Sequence, residues 1–287
     1  MRNIDLAKKV ADEFIGIPDV RTIAMGGSQT NGILDRHSDI DLYIYAKTIV
    51  PLSTRKTIVE RLGASRADLN LTFWDIGDEW FDSETGIEVD VMFWSPNWIE
   101  EQLERVLTEH QASMGYTTCF WRTVKNSTIL FDRDGWFREL QAKSNQSYPE
   151  PLKRAIVAKN HPVLRAVIPS YYAQIKKALG RRDLVSVNHR LAALLASYFD
   201  VLFALNEVLH PGEKKLIQFI MSECSKVPTD LERKIEHILQ LGAVGDMNLL
   251  VELDELVDDL DAILRNEGFD PDKTLLAASV VQLGSGS

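Results

Sequence analysis

The sequence predicts an α+β protein: an α/β segment to about residue 147, then an all-helical one over 148–283. Three observations carry this. Short apolar runs bounded by Gly and Pro alternate with helical periodicities through the first half. From about Tyr148 the strand patterns stop and long helical ones take over. Pro149, Pro151, Pro162, Pro211, Pro228 and Pro271 fall at joints between helical runs, where a missing N–H is tolerated.

Taken in order, Ile4, Leu6, Ala7, Val10, Ala11, Phe14 and Ile15 recur at helical spacing and predict an amphipathic helix over 3–16. Residues 20–25 are a short apolar run that stops at Gly26-Gly27-Ser28, a strand followed by a tight turn. Residues 39–46 alternate strictly. Ile40, Leu42 and Ile44 face one side; Asp39, Asp41, Tyr43 and Tyr45 face the other. A helix is expected over 53–64 with Ser53 as its cap, and strands over 69–74 and 87–94. Pro96 opens a helix to about Glu109, and a last strand covers 128–131. The second half predicts helices over 150–160, 163–179, 184–208, 213–225, 229–241, 247–266 and 271–281. Residues 284–287, a Gly-Ser run, read as a cloning remnant outside the fold.

Composition narrows the class. With 287 residues, 45% hydrophobic and 26% charged, the chain has an ordinary globular make-up. Cys119 and Cys224 are too few for a disulfide framework and fit a reducing compartment, so a cytoplasmic location is expected. No apolar run approaches the ~18 residues a membrane span needs. The 32 Lys and Arg against 42 Asp and Glu give a net charge of −10. Such a field repels a polyanion, so no nucleic-acid partner is expected; a neutral or cationic small acceptor is easier to accommodate. The acidic run from Glu252 to Asp261 reads as a solvated helix face.

The chemistry concentrates in Gly26-Gly27-Ser28, Asn31-Gly32 and Ser38-Asp39-Ile40-Asp41-Leu42. A glycine turn after a strand lets backbone N–H groups approach phosphates without a Cβ in the way, and Ser28 adds a hydroxyl donor. Asp39 and Asp41, two positions apart on a strand, project from the same face. Their repulsion asks for a cation between them, and hard oxygen ligands suit Mg²⁺ carried in by a nucleotide.

This arrangement resembles the nucleotidyltransferase superfamily that includes DNA polymerase beta and the antibiotic nucleotidyltransferases. Met25-Gly26-Gly27-Ser28, a gap of about ten residues, and Asp39-Ile40-Asp41-Leu42 match its motif element by element. The resemblance implies a small mixed sheet in residues 1–147, with a helical domain over 148–283 that closes on acceptor or nucleotide. It implies two Mg²⁺ ions bridged to a nucleoside triphosphate, ATP for preference, by Asp39 and Asp41. A third carboxylate is needed on a neighbouring strand: Asp90 lies mid-strand, and Glu88 on the same face competes with it. Gly27 and Ser28 would hold the β- and γ-phosphates, although Asn31 stands where many relatives carry a base. The charge-dense stretch from Asn206 to Lys215 is similar to the segment that offers a lysine to the phosphates in aminoglycoside adenylyltransferases. Lys214 is favoured over Lys215 for that role, and Glu207 stays open as an acceptor base. The implied activity moves AMP to a hydroxyl of a small molecule, antibiotics being one such class. A protein-AMP-transferring enzyme and a nucleotide-binding regulatory module are the alternatives.

Overall fold

The computed structural model describes residues 3–26, 39–73 and 75–271. They fall into two compact units. One comprises Met1–Glu104 and Phe120–Gln146, the other Arg105–Cys119 and Ser147–Ser287. A mixed α/β first half followed by a mostly helical second half is the architecture expected.

The first unit opens with α1 (Asn3–Phe14), which buries Leu6, Ala7, Val10, Ala11 and Phe14 along one stripe. Next come β1 (Val20–Met25), β2 (Ile40–Ala46), α2 (Leu52–Leu62), β3 (Ala64–Leu71), β4 (Gly77–Asp82) and β5 (Glu88–Trp94). After them run α3 (Pro96–Leu107), α4 (Cys119–Asn126), β6 (Thr128–Asp132) and α5 (Trp136–Ser144). The described strands form one sheet in the order β3-β4-β5-β2-β1-β6. Of these pairings β2–β5 is parallel and the rest are antiparallel. The core lies between one sheet face (Ile23, Ile40, Leu42, Ile44, Val89, Val91) and the apolar stripes of α1 and α2. On the other face Tyr43 and Tyr45 are also buried, so β2 is covered on both sides, where the alternation alone showed one buried face.

Several local expectations are corrected. Ser53 does not cap α2. Pro51, extended at φ −55° and ψ 138°, stands at the cap position without a side-chain hydrogen bond, and Ser53 is already helical. Gly63, at φ +81°, ends that helix earlier than expected, and β3 starts directly after it. β3 is a largely exposed edge strand, and its polar sequence hid its start. β4 was not anticipated, because Gly-Asp-Glu-Trp-Phe-Asp carries no apolar alternation. It is held from both sides by β3 and β5, and its buried Asp78 is neutralised by the equally buried Arg55 of α2. Helices α4 and α5 were also missed.

The second unit holds α6 (Glu150–Asn160), α7 (Tyr171–Gly180), α8 (Leu184–Leu205), α9 (Leu216–Glu223), α10 (Leu231–Val244) and α11 (Leu249–Asn266). The apolar α8 is central, packed by α6, α7 and α10. The helix expected from 163 starts only at Tyr171, where Ser170 accepts the Ala173 N–H; residues 162–169 form turns. The helix expected over 271–281 lies outside the described residues, apart from Pro271. The acidic face of α11 is not simply solvated. Arg165 donates to Asp254 (3.0 Å), Asp258 (2.6 Å) and Asp261 (3.1 Å), and Asp261 also meets His161 at 2.6 Å.

Candidate active site

The parallel pairing of β2 with β5 builds the site. Its register sets Ile40 beside Val89, Asp41 beside Asp90 and Leu42 beside Val91. Ile40, Leu42, Val89 and Val91 point into the core and are fully buried. Alternation therefore sends Asp41 and Asp90 to the opposite face. Neighbouring strands run about 4.8 Å apart, which makes these two half-buried carboxylates direct cross-strand neighbours. Asp39 and Glu88 each precede the paired stretch by one residue and stand half-buried at its entrance. Of the two candidates for the third carboxylate, Asp90 is the one in register with Asp41.

Gly26 is explained by packing. Gly26 donates its N–H to the Asp41 carbonyl at 3.0 Å, extending the β1–β2 ladder past Met25. A Cβ at Gly26 would lie 2.2 Å from the Tyr43 ring. That ring cannot move aside easily, because it stacks on Trp94 with centroids 4.5 Å apart and planes 8° from parallel. Trp94 is in turn tied by its Nε1–H to Asp75 (3.0 Å) and packed against Trp98 and Phe120. The carboxylates thus sit at the end of an aromatic layer that extends to Tyr45, Trp136 and Phe137. Burial pushes the Tyr45 hydroxyl well above its ordinary pKa.

β4 adds a residue that the sequence did not suggest. Glu79 is the register partner of Asp90 on the side away from Asp41, and Asp68 of β3 is the partner of Glu79. Four acidic residues therefore lie at one level across β3, β4, β5 and β2. Asp68, at the edge, is compensated by Arg66 at 2.9 Å.

Asp41 and Asp90 offer oxygen donors only, which suits Mg²⁺, an ion held by one or two carboxylates together with substrate phosphates. Among the described residues no three His, Cys, Asp or Glu side chains converge as a metal cage. Gly27 and Ser28, expected to hold phosphates, lie outside the described residues, as do Asn31 and Trp74. Lys214 is exposed in the turn before α9 and belongs to the helical unit, and Lys215 stands at the cap position before that helix at φ +59°. Glu207, at φ +56°, accepts from Lys153 Nζ at 2.8 Å. Burial works against the charge on Lys153, but the hydrogen bonds it donates to Glu150 and Glu207 outweigh it and raise its pKa.

Residues 119–216 match the model of a domain of unknown function, DUF4037. No curated protein matches the chain. Solved structures similar to the chain match it at low identity. A nucleotidyltransferase-like protein from Exiguobacterium sibiricum shares 9% identity at a TM-score of 0.42, covering 95% of this chain and 77% of that one. The CCA-adding enzyme of Thermotoga maritima, complexed with tRNA, shares 13% at 0.32, covering 98% and 84%. The STING-associated CdnE c-di-GMP synthase of Capnocytophaga granulosa shares 14% at 0.30, covering 93% and 80%. Such low values leave the question of activity to the carboxylates themselves.

Proposed function

We propose that the protein is a metal-dependent nucleotidyltransferase that moves a nucleoside monophosphate, AMP from ATP, to a hydroxyl of a small molecule. The observation that supports it is the placing of Asp41 and Asp90 side by side on adjacent strands, with Gly26 bonded to the Asp41 carbonyl. Oxygen donors at paired positions on adjacent strands can share one divalent cation together with substrate phosphates.

In this reading Asp41 and Asp90, with Asp39 at the entrance of the paired stretch, would hold Mg²⁺ together with the oxygens of the triphosphate. When bound, the metal supplies charge neutralisation on the phosphates and orients the α-phosphorus for in-line attack. Asp90 accepts the proton of the acceptor hydroxyl at its carboxylate oxygen. The acceptor oxygen bonds to the α-phosphorus, the bond from that phosphorus to the bridging oxygen breaks, and pyrophosphate leaves. Gly27 and Ser28 hold the outer phosphates through backbone N–H and hydroxyl donors. The rigid aromatic layer beneath keeps the two strands from shifting, so the residues contribute mainly by positioning.

Pyrophosphate release from ATP and Mg²⁺ tests this, in the presence of a panel of hydroxylated acceptors, aminoglycosides and lincosamides among them, with transfer of label from α-labelled ATP. Acceptor-dependent release, lost in Asp41→Asn and Asp90→Asn, is the expected result. Release that survives both substitutions refutes the assignment.

A further inference from the structure

The outer edge of β3 is open. Among the described strands β3 is terminal and pairs with β4 alone. Its far side presents a row of backbone N–H and C=O groups, a template for one more strand. Residues 65–68 are all exposed, so side chains on both faces of this stretch reach solvent. Arg66 to Phe81, Ala67 to Trp80, Asp68 to Glu79 and Leu69 to Asp78 are successive pairs, and register shifts bound them on either side. A bulge bends a strand and ends its pairing, so the regular stretch between the shifts is where a partner strand fits.

The charges on that stretch select the partner. Ala67 is the register neighbour of Trp80, which belongs to the core. Alternation therefore puts Arg66 and Asp68 on the opposite face, the face of Asp41 and Asp90. They flank Ala67 and pair with each other at 2.9 Å. A strand laid antiparallel along this edge meets complementary charges if it carries them in reverse order. β3 turned end for end about Ala67 does so. Arg66 then faces the partner's Asp68, Asp68 faces the partner's Arg66, and Ala67 faces its own equivalent. Moving the register one step sets one charge opposite Ala67 and leaves both unanswered. A second step sets Arg66 or Asp68 opposite itself, like on like.

We propose that β3 is a self-pairing edge: two copies of this chain join antiparallel about Ala67, through crossed Arg66–Asp68 charges, into one continuous sheet. The contact is isologous, with its two-fold axis perpendicular to the sheet, so the carboxylates of both copies face the same side. So short a ladder gives a reversible dimer, not an obligate one.

Sedimentation equilibrium of the full chain at low salt, over about 1–300 µM, tests this. The average mass should rise from one chain toward two, and added salt should oppose the rise. Arg66→Asp and Asp68→Arg each create two like-charge pairs across the axis and should weaken association about tenfold. Arg66→Asp combined with Asp68→Arg should restore it. Disulfide trapping reads the register. Ala67→Cys faces its own equivalent at a Cα separation of about 4.5–5.5 Å, within the span of a disulfide, and should cross-link through residue 67. Ser65→Cys, at an equally exposed position, faces the partner's Leu69 and should not. All four positions are exposed, and unchanged tryptophan fluorescence verifies that each variant folds. A chain that stays monomeric at every concentration overturns the proposal. So do association indifferent to either charge reversal, a double variant no better than the singles, and equal trapping at 65 and 67.

Discussion

Replacing Asp78 with Ala strands a guanidinium. Arg55 and Asp78 are each 1% exposed and pair beneath the sheet, on the face opposite the candidate site. Arg55 also donates to the Val50 carbonyl (3.0 Å) and Asn70 Oδ1 (2.9 Å), and its guanidinium lies 4.8 Å over the Phe93 ring. Asp78 accepts the Asn70 N–H at 2.8 Å. Breaking a buried pair from one side costs about 3–5 kcal/mol, because the remaining charge loses its partner without regaining water. The carbonyl, the amide and the ring still soothe Arg55, which places the charge penalty near the lower figure, about 3 kcal/mol. The Asn70 N–H loses its acceptor and adds about 1 kcal/mol. The sum, about 4 kcal/mol, moves a urea midpoint by roughly 1.5–2 M at an ordinary slope. Tryptophan fluorescence reads the correct unit, since all six tryptophans fall within its residues. Arg55→Met with Asp78→Leu removes both charges and should recover most of the loss, ending within about 1–2 kcal/mol of the parent. An Asp78→Ala protein within about 1 kcal/mol of the parent, or a double variant no better than the single, refutes the reasoning.

Four further outcomes are expected. Gly26→Ala drives a methyl into the ring of Tyr43, so thermal unfolding should show a loss of about 1–3 kcal/mol, accompanied by reduced nucleotide turnover. Asp90→Asn should lower turnover by orders of magnitude and Glu88→Gln far less; the reverse ranking in a pyrophosphate assay would move the third carboxylate to Glu88. Glu79→Gln relieves the like charge opposite Asp90 and should stabilise the fold by up to about 1 kcal/mol in the metal-free protein, an effect that denaturation without divalent ions can refute. Lys214→Ala should weaken binding of a non-hydrolysable ATP analogue with Mg²⁺ roughly 5- to 150-fold in titration calorimetry, with Lys215→Ala nearly silent; equal affinity for parent and both variants would remove this segment from nucleotide binding.

β1, β2 and β5 were legible in the sequence because each is buried against the core, so their apolar residues must alternate or run together. Asp41 was legible for the same reason: a carboxylate interleaved with Ile40 and Leu42 breaks an otherwise apolar strand. Glu79 was not, because a strand as acidic as β4 is stabilised by partners far away in sequence, Arg55 and the ladders to β3 and β5, and not by its own pattern. Nor could local pattern reveal that 105–119 belongs with the helices. That membership rests on hydrogen bonds such as Thr117 to Asp200, 83 residues apart. Ser53 misled because a good capping residue stood beside Pro51, whose fixed φ started the helix sooner.

The position of β6 in the sheet has a consequence for biosynthesis. β6 covers one side of β1, and Thr22 meets Asp132 across a separation of 110 residues. Closing so long a loop costs about 2 kcal/mol more than closing a ten-residue one, and the ribosome delivers the amino end first. Until residue 132 has emerged, a nascent chain carries the apolar β1 with one rim of N–H and C=O groups open. Arg133, which fastens the carbonyls of Ile15 (2.8 Å), Ile17 (3.1 Å) and Val20 (3.0 Å), arrives one residue later still. An open apolar rim is a template for the strands of other chains, so fragments released before this point are the ones expected to aggregate and to need holding by chaperones.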